Sequence, residues 1–288
     1  MTSRGQRGDA LVPVGPVFLV DRFPGLHTEL MGLLHGLPPG DWSKPTACAL
    51  WSVKDIAAHL LDTALRRLSY ERDGRDPAPE EAISTYTELV AYLNRLNADW
   101  IAATRRLSPR VLMDLLEATA PQVHAHFRSL DPQARAGFGV AWAGEESSPV
   151  WFDIGREYTE RWLHQQQIRE AVGAPGLTRR EWLHPALDVF VRALPFTYRA
   201  VEAELGASVR VEIGGEAGGV WTLVRNPREW NLFAGEDSNP TSRVSLDQDA
   251  AWRLFSKSLS PEAARQRVRI EGNERLGEPM LGALAVMA

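Results

Sequence analysis

The sequence predicts an α+β protein: an all-helical N-terminal bundle followed by a small α+β domain. Three observations lead there. Over roughly the first 175 residues, apolar side chains recur at helical spacing behind recognisable helix starts. Beyond Gly176 the apolar period switches to two. The 288 residues also exceed what one core usually organises, about 150 being typical of a domain. The expected domains are residues 16–176, a helical bundle, and 177–288, the α+β part, with the first ~15 residues reading as a flexible tail.

The first helix spans Val17 to Leu37, where Leu26, Leu30, Leu33, Leu34 and Leu37 share a stripe and "PPGDW" ends it. Ser52 with Asp55 three residues on forms a capping-box start for a second helix reaching about Arg72. Its stripe is Val53, Ile56, Ala57, Leu60, Leu61, Ala64, Leu65 and Leu68. "DGRDPAP" breaks it, and Tyr86, Leu89, Val90, Leu93, Leu96, Trp100 and Ile101 mark a third helix. Ser108-Pro109 is an N-cap and N1 pair opening a fourth, in which Pro121 predicts a kink or split. Ser148-Pro149 repeats the signal for a fifth, which "GAPG" stops. A sixth helix is expected from Arg179 to Leu205, interrupted at Pro195. "SVRVEI" and "GVWTLV" then form a hairpin around "GGEAGG", with "TSRVSL" and "QRVRIEG" as two further strands and helices at Ala250–Leu259 and Asn273–Met287.

Composition narrows the function. Apolar content of 44% with 24% charged residues is that of a folded globular protein, which excludes disorder. A net charge of −5 without a basic run gives nucleic acid no electrostatic footprint. No stretch reaches the ~18–20 apolar residues of a membrane span, and the N-terminus lacks a signal peptide's apolar core, so a cytoplasmic monomer or homodimer is expected. Cys48 is the sole cysteine, which excludes an intrachain disulfide and a thiolate cluster. Any metal here is held by histidine and carboxylate.

Glu160 and His164 stand four apart on the fifth helix and therefore share a face. A nitrogen and a carboxylate oxygen on adjacent turns suit a divalent transition ion: Zn²⁺, and equally Ni²⁺, Mn²⁺ or Fe²⁺. His59 is the candidate third ligand, because it falls opposite the second helix's apolar stripe beside Asp55, Asp62 and Arg66. On the residues alone two readings stay open: ordinary solvated polar faces, or two polar faces turned inward around an ion with Asp62 or Gln167 as supporting partners.

The phrase "LWSVKDIAAHLLDT", followed about a hundred residues later by "REYTERWLHQQQIREAVG", resembles the mycothiol-dependent maleylpyruvate isomerase family. The resemblance implies a DinB-like metal-binding bundle of four-helix type with His59, Glu160 and His164 as ligands. "AWRLFSKSLSPEAARQRVRIEG" and the helix after it look like the family's sterol-carrier-like α+β domain. It also implies a low-molecular-weight thiol, mycothiol or a similar one, acting on a small electrophile: the thiolate adds to an activated double bond, rotation follows, and elimination returns the thiol. One departure stands out. The family's isomerases use an arginine near the C-terminal end, and "PMLGALAVMA" has none. Addition without elimination, a thiol S-transferase reaction, fits the same ligands. So do a non-catalytic small-molecule or lipid binder with a structural metal, and hydrolysis by a bound water.

Other groups point to less. Arg243, Arg267 and Arg269 read as surface arginines, with recognition of an anionic substrate as the alternative. His124 and His126, two apart, do not share a helix face, and His27 and His35 read as core or surface residues. Cys48 reads as a small buried apolar residue. "GGEAGG" joins two strands and fails the context of a phosphate loop. Trp42 and Trp142, in loops, are candidates for lining a pocket.

Overall fold

The computed structural model describes residues 11–76 and 83–286. The first ten residues of the predicted tail, part of the "DGRDPAP" break and Met287 of the last predicted helix lie outside that range. The chain forms two compact units. One comprises Phe18–Gly139 and Ser147–Leu177; the other takes the N-terminal stretch to Val17, Val140–Glu146 and Thr178–Met287.

The helical unit contains α1 (Phe23–His35), α2 (Val53–Arg66), α3 (Tyr86–Thr104), α4 (Pro109–Ser129) and α5 (Val150–Val172). Helices α1, α4, α2 and α5 close a four-membered ring of contacts, and α3 packs on α2. Leu30, Leu34, Val53, Ile56, Leu60 and Leu116 are among the side chains of the shared core. The N-terminus of α2 carries a reciprocal capping box. The Ser52 N–H donates to Asp55 Oδ2 at 2.9 Å, and the Asp55 N–H donates to Ser52 Oγ at 3.3 Å. Such a cap is worth about 1 kcal/mol and fixes where the helix starts.

Three expectations for this unit change. α2 gives way at Arg67 to a π-helical turn, Arg67–Arg72, which re-aims the side chains after it. α4 runs unbroken through Pro121, because Leu116 and Thr119 before it and Val123 and Phe127 after it are all buried. That packing outweighs the ~3 kcal/mol an interior proline costs. In α5, Pro149 rather than Ser148 takes the N-cap position, and no side chain caps the helix. The Ala134 and Pro132 carbonyls accept from the Val150 and Trp151 N–H groups at 2.9 and 3.0 Å in its place.

The second unit is built on a six-stranded sheet: β1 (Val12–Pro13), β2 (Ser208–Gly214), β3 (Gly219–Arg225), β4 (Trp230–Ala234), β5 (Ser242–Asp247) and β6 (Arg269–Gly272). The spatial order is β1-β4-β3-β2-β5-β6, with β2 and β5 parallel and the other pairs antiparallel. Buried Val209, Val211, Ile213, Val244 and Leu246 alternate along β2 and β5. Against the sheet lie α7 (Leu194–Thr197), α8 (Gln248–Phe255) and α10 (Glu274–Gly277), while α6 (Arg180–Phe190), which accepts a hydrogen bond from Trp221 of β3 at Asp188, and α9 (Pro261–Arg265) pack on α8. The β2–β3 hairpin needs its glycines: Gly215 has φ of 108°, and a Cβ at Gly218 would lie 1.9 Å from the Ile213 carbonyl oxygen.

The α+β class holds, but this unit corrects several details. Six strands replace the expected four, and Val12–Pro13, expected in the tail, pairs with β4. The helix expected from Arg179 to Leu205 stops at Thr197. It is divided by a 3₁₀ turn at Val191–Ala193, after which Pro195 sits in a new first turn where its missing N–H costs nothing. The two C-terminal helices are each shorter than their apolar patterns suggest.

Candidate metal centre

The site lies where α2 faces α5 inside the helical unit. Most of α5 from Val150 to Arg169 is buried, so most of its polar residues find partners inside the protein. Asp153, Glu157, Glu160, His164 and Gln167 alternate four- and three-residue steps and form one stripe. On α2, His59 is 4% and Asp62 8% exposed: the polar face opposite the apolar stripe is turned inward.

Glu160 Oε1 lies 3.0 Å from His59 Nε2 and 3.2 Å from His164 Nε2. The two imidazole rings meet edge to face with centroids 4.8 Å apart. Among the described residues, His59, Glu160 and His164 are the one group of three or more histidine, cysteine or acidic side chains close enough to hold an ion, their ligand atoms all within 4.8 Å of one another. A tetrahedral ion with bonds of about 2.0–2.1 Å keeps its ligand atoms about 3.3 Å apart, which is the spacing seen around Glu160. The histidine side chains are 5% and 9% exposed but Glu160 is 30% exposed, so solvent reaches the group from the carboxylate side.

A short loop completes the surroundings. Thr46 Oγ1 donates to the Trp51 carbonyl at 2.8 Å, and the Trp51 N–H donates to the Cys48 carbonyl at 2.8 Å, which holds both residues just ahead of the α2 cap. The Trp51 ring covers both imidazoles, at 4.8 Å from His59 and 6.0 Å from His164. Behind His164, its Nδ1–H donates to Gln167 Oε1 at 2.7 Å, and the Cys48 thiol donates to the same oxygen at 3.2 Å.

The electrostatics separate the two histidines. Burial lowers the His59 pKa, and its hydrogen bond to Glu160 only partly offsets this, so it stays neutral. Burial also opposes charge on His164, but the Glu160 carboxylate four residues away overrides it and lifts the imidazole to about 10. Glu160, despite its own burial, is held well below the usual carboxylate range, chiefly by His164. Without a metal, then, a protonated His164 supplies the positive charge beside Glu160. His59 Nδ1 is buried with no hydrogen-bond partner among the described residues.

One or two turns toward the N-terminus of α5, the same stripe carries a different arrangement. Arg67, placed by the π turn, pairs with Asp153 through Nη2 at 3.0 Å, with Glu157 Oε2 at 3.3 Å, and with Glu71. Asp153 also accepts from Arg156, and Glu157 from Arg161. Burial pushes both acids upward, but the arginines hold them below the ordinary carboxylate range. Sequence reading missed this network because nothing in the apolar pattern marks an inserted π turn.

The other candidates fall elsewhere. Asp62 pairs with Arg66 at 2.7 Å and Gln167 alone supports a site histidine. Cys48, read as an inert small residue, stands beside the site. Trp42 and Trp142 are buried rather than lining a pocket, Trp42 within the helical core. Arg243, Arg267 and Arg269 make surface ion pairs with Glu212, with Asp247 and Asp249, and with Glu271. His35 pairs with Glu117 at 2.9 Å on the surface, and the His126 ring lies 3.5 Å from Glu71. The shared sequence signal for Trp51 and Cys48 was their position immediately before the α2 cap.

Comparison with known proteins follows from this geometry. The family model of the mycothiol maleylpyruvate isomerase N-terminal domain matches residues 23–169. Among solved structures, the chain is similar to a mycothiol-dependent maleylpyruvate isomerase, with a TM-score of 0.51, 11% identity, and coverage of 88% of this chain and 91% of that one. A histidine-to-alanine variant of a mycothiol-dependent maleylpyruvate isomerase gives 0.50 and 12% at the same coverage. These likenesses show a shared fold. No curated protein matches the chain. The matched span takes in every residue of the His59, Glu160 and His164 group and half of the sequence: the chain belongs to the mycothiol maleylpyruvate isomerase N-terminal domain family.

Proposed function

We propose that this protein is a metal-dependent enzyme that uses a low-molecular-weight thiol, mycothiol or a close equivalent, either to isomerise a small electrophile or to transfer the thiol onto it. The observation that carries the reading is the convergence of His59, Glu160 and His164 at ion-binding separations inside an otherwise buried helix interface. Family membership supplies the thiol and the reaction class. Three protein ligands are the number found at catalytic rather than closed structural sites. When bound, a divalent ion, Zn²⁺ foremost and Ni²⁺, Fe²⁺ or Mn²⁺ by the same donor set, supplies Lewis acidity that lowers the pKa of a thiol at its open positions.

The chain's own residues do the rest. His59 and His164 donate neutral nitrogens and Glu160 a single negative charge, so the ligand set leaves a divalent ion net positive, the sign that attracts a thiolate. The exposed flank of Glu160 is the approach from solvent. Trp51 shields the two imidazoles from water and keeps their rings in place.

The test is turnover by reconstituted protein with mycothiol and maleylpyruvate or another activated alkene, followed by chromatographic separation of substrate, geometric isomer and thioether. Thiol-dependent, chelator-sensitive conversion is the expected result; recovery of the thiol marks an isomerase, and a stable thioether marks a transferase. Turnover without any thiol would replace this reading by metal-assisted hydrolysis. Thiol binding without turnover across such electrophiles would replace it by a binding protein.

A further inference from the structure

The stripe on α5 continues one turn past His164 to Gln167, which is 6% exposed and turned toward the back of the imidazole. A glutamine side-chain oxygen has two lone pairs and donates nothing. Gln167 Oε1 uses one to accept from His164 Nδ1–H at 2.7 Å and the other to accept from the Cys48 thiol at 3.2 Å. An acceptor at Nδ1 fixes a proton on that nitrogen, so Nε2, 3.2 Å from Glu160 Oε1, is the nitrogen that exchanges its proton for an ion.

We propose that Gln167 is a positioning residue for metal binding, selecting the Nδ1–H tautomer of His164 and holding its ring in the ligating orientation, with Cys48 anchoring the Gln167 oxygen. The inference rests on the metal reading above and goes further, since it assigns the two residues behind the ligand. It also accounts for an asymmetry. His164 has a dedicated partner on its distal nitrogen, whereas His59 Nδ1 has none among the described residues. The His164 ring is therefore oriented by the fold before an ion arrives, and the His59 ring is held by a tilted contact with Trp51.

The experiment compares metal-free wild type with Gln167→Leu, Gln167→Glu and Cys48→Ala. Co²⁺ affinity is read by chelator competition, and the His164 tautomer by ¹⁵N NMR of the Zn²⁺-loaded wild type. Wild type should show His164 protonated on Nδ1. Gln167→Leu, which keeps bulk but removes the acceptor, should bind Co²⁺ about 10–100-fold more weakly while the metal-free variant stays folded by circular dichroism. Gln167→Glu, which restores an acceptor, should recover wild-type affinity or exceed it, and Cys48→Ala should lose less than Gln167→Leu. Equal Co²⁺ affinity in wild type and Gln167→Leu, or a His164 proton on Nε2, overturns this inference alone; the NMR arm decides even if the leucine variant does not fold. Absence of Co²⁺ binding by wild type overturns the metal reading and this inference with it.

Discussion

Two ends of one helix interface treat buried acids in opposite ways. Toward the N-terminus of α5, Asp153 and Glu157 meet Arg67, with Arg156 and Arg161 alongside, so each carboxylate has a permanent cation from the chain. A turn later Glu160 meets only His59 and His164, whose charge depends on pH and whose nitrogens can bind a metal instead of a proton. The lesson is about what the interface lacks. Where arginine neutralises the acids the cluster is closed, and where imidazoles surround the acid the positive charge is a proton on His164, which a metal ion can replace.

Breaking the closed end should have the largest effect. Arg67→Ala leaves buried Asp153 without its main partner and buried Glu157 with Arg161 alone, and should cost about 3–5 kcal/mol in denaturant unfolding. A loss within experimental error would show that Arg156 and Arg161 suffice. At the open end, His59→Ala should remove stoichiometric metal yet leave the metal-free protein folded, as read by circular dichroism and metal analysis. Unfolding of that variant would mean that the two ends do the same structural job.

The pH dependence of metal-free stability should divide along the same line. Asp153 and Glu157 have lowered pKa values in the fold, so their contribution is present above the unfolded values near 4 and disappears as pH falls through the folded ones. His164 is raised to about 10, so its contribution is complete below its unfolded value of 6.5 and is lost as pH climbs toward 10. His164→Gln should therefore flatten the alkaline limb and leave the acid limb in place. An alkaline limb unchanged in that variant would remove His164 as its source. The smallest effect belongs to the α2 start: Ser52→Ala should lower stability by about 1 kcal/mol in thermal melts, with Trp51 fluorescence reporting any shift of the loop beside the imidazoles.

How much of this was written legibly in the sequence follows the same division. The candidate pair was visible because Glu160 and His164 use the simplest helical spacing, and His59 because it opposes an unbroken apolar stripe. The capping box at Ser52 placed the start of α2 to the residue. Arg67 was invisible, since a π turn adds a residue without changing local composition. The burial of most of α5 was hidden too: a helix that keeps polar residues inside the protein looks, in one dimension, like a solvated one. In the sheet unit, apolar Phe233 on the less buried side of β4 blurs that strand's alternation, β1 has only two residues, and both exist because neighbouring strands offer them partners.

The most direct test of the central claim is metal content by mass spectrometry on tag-free protein, wild type beside His164→Ala, each reconstituted with Zn²⁺, Ni²⁺, Fe²⁺ or Mn²⁺. The account predicts about one divalent ion per wild-type chain and none retained by the variant. No ion in the wild type with any of the four metals, or full occupancy in His164→Ala, would contradict it.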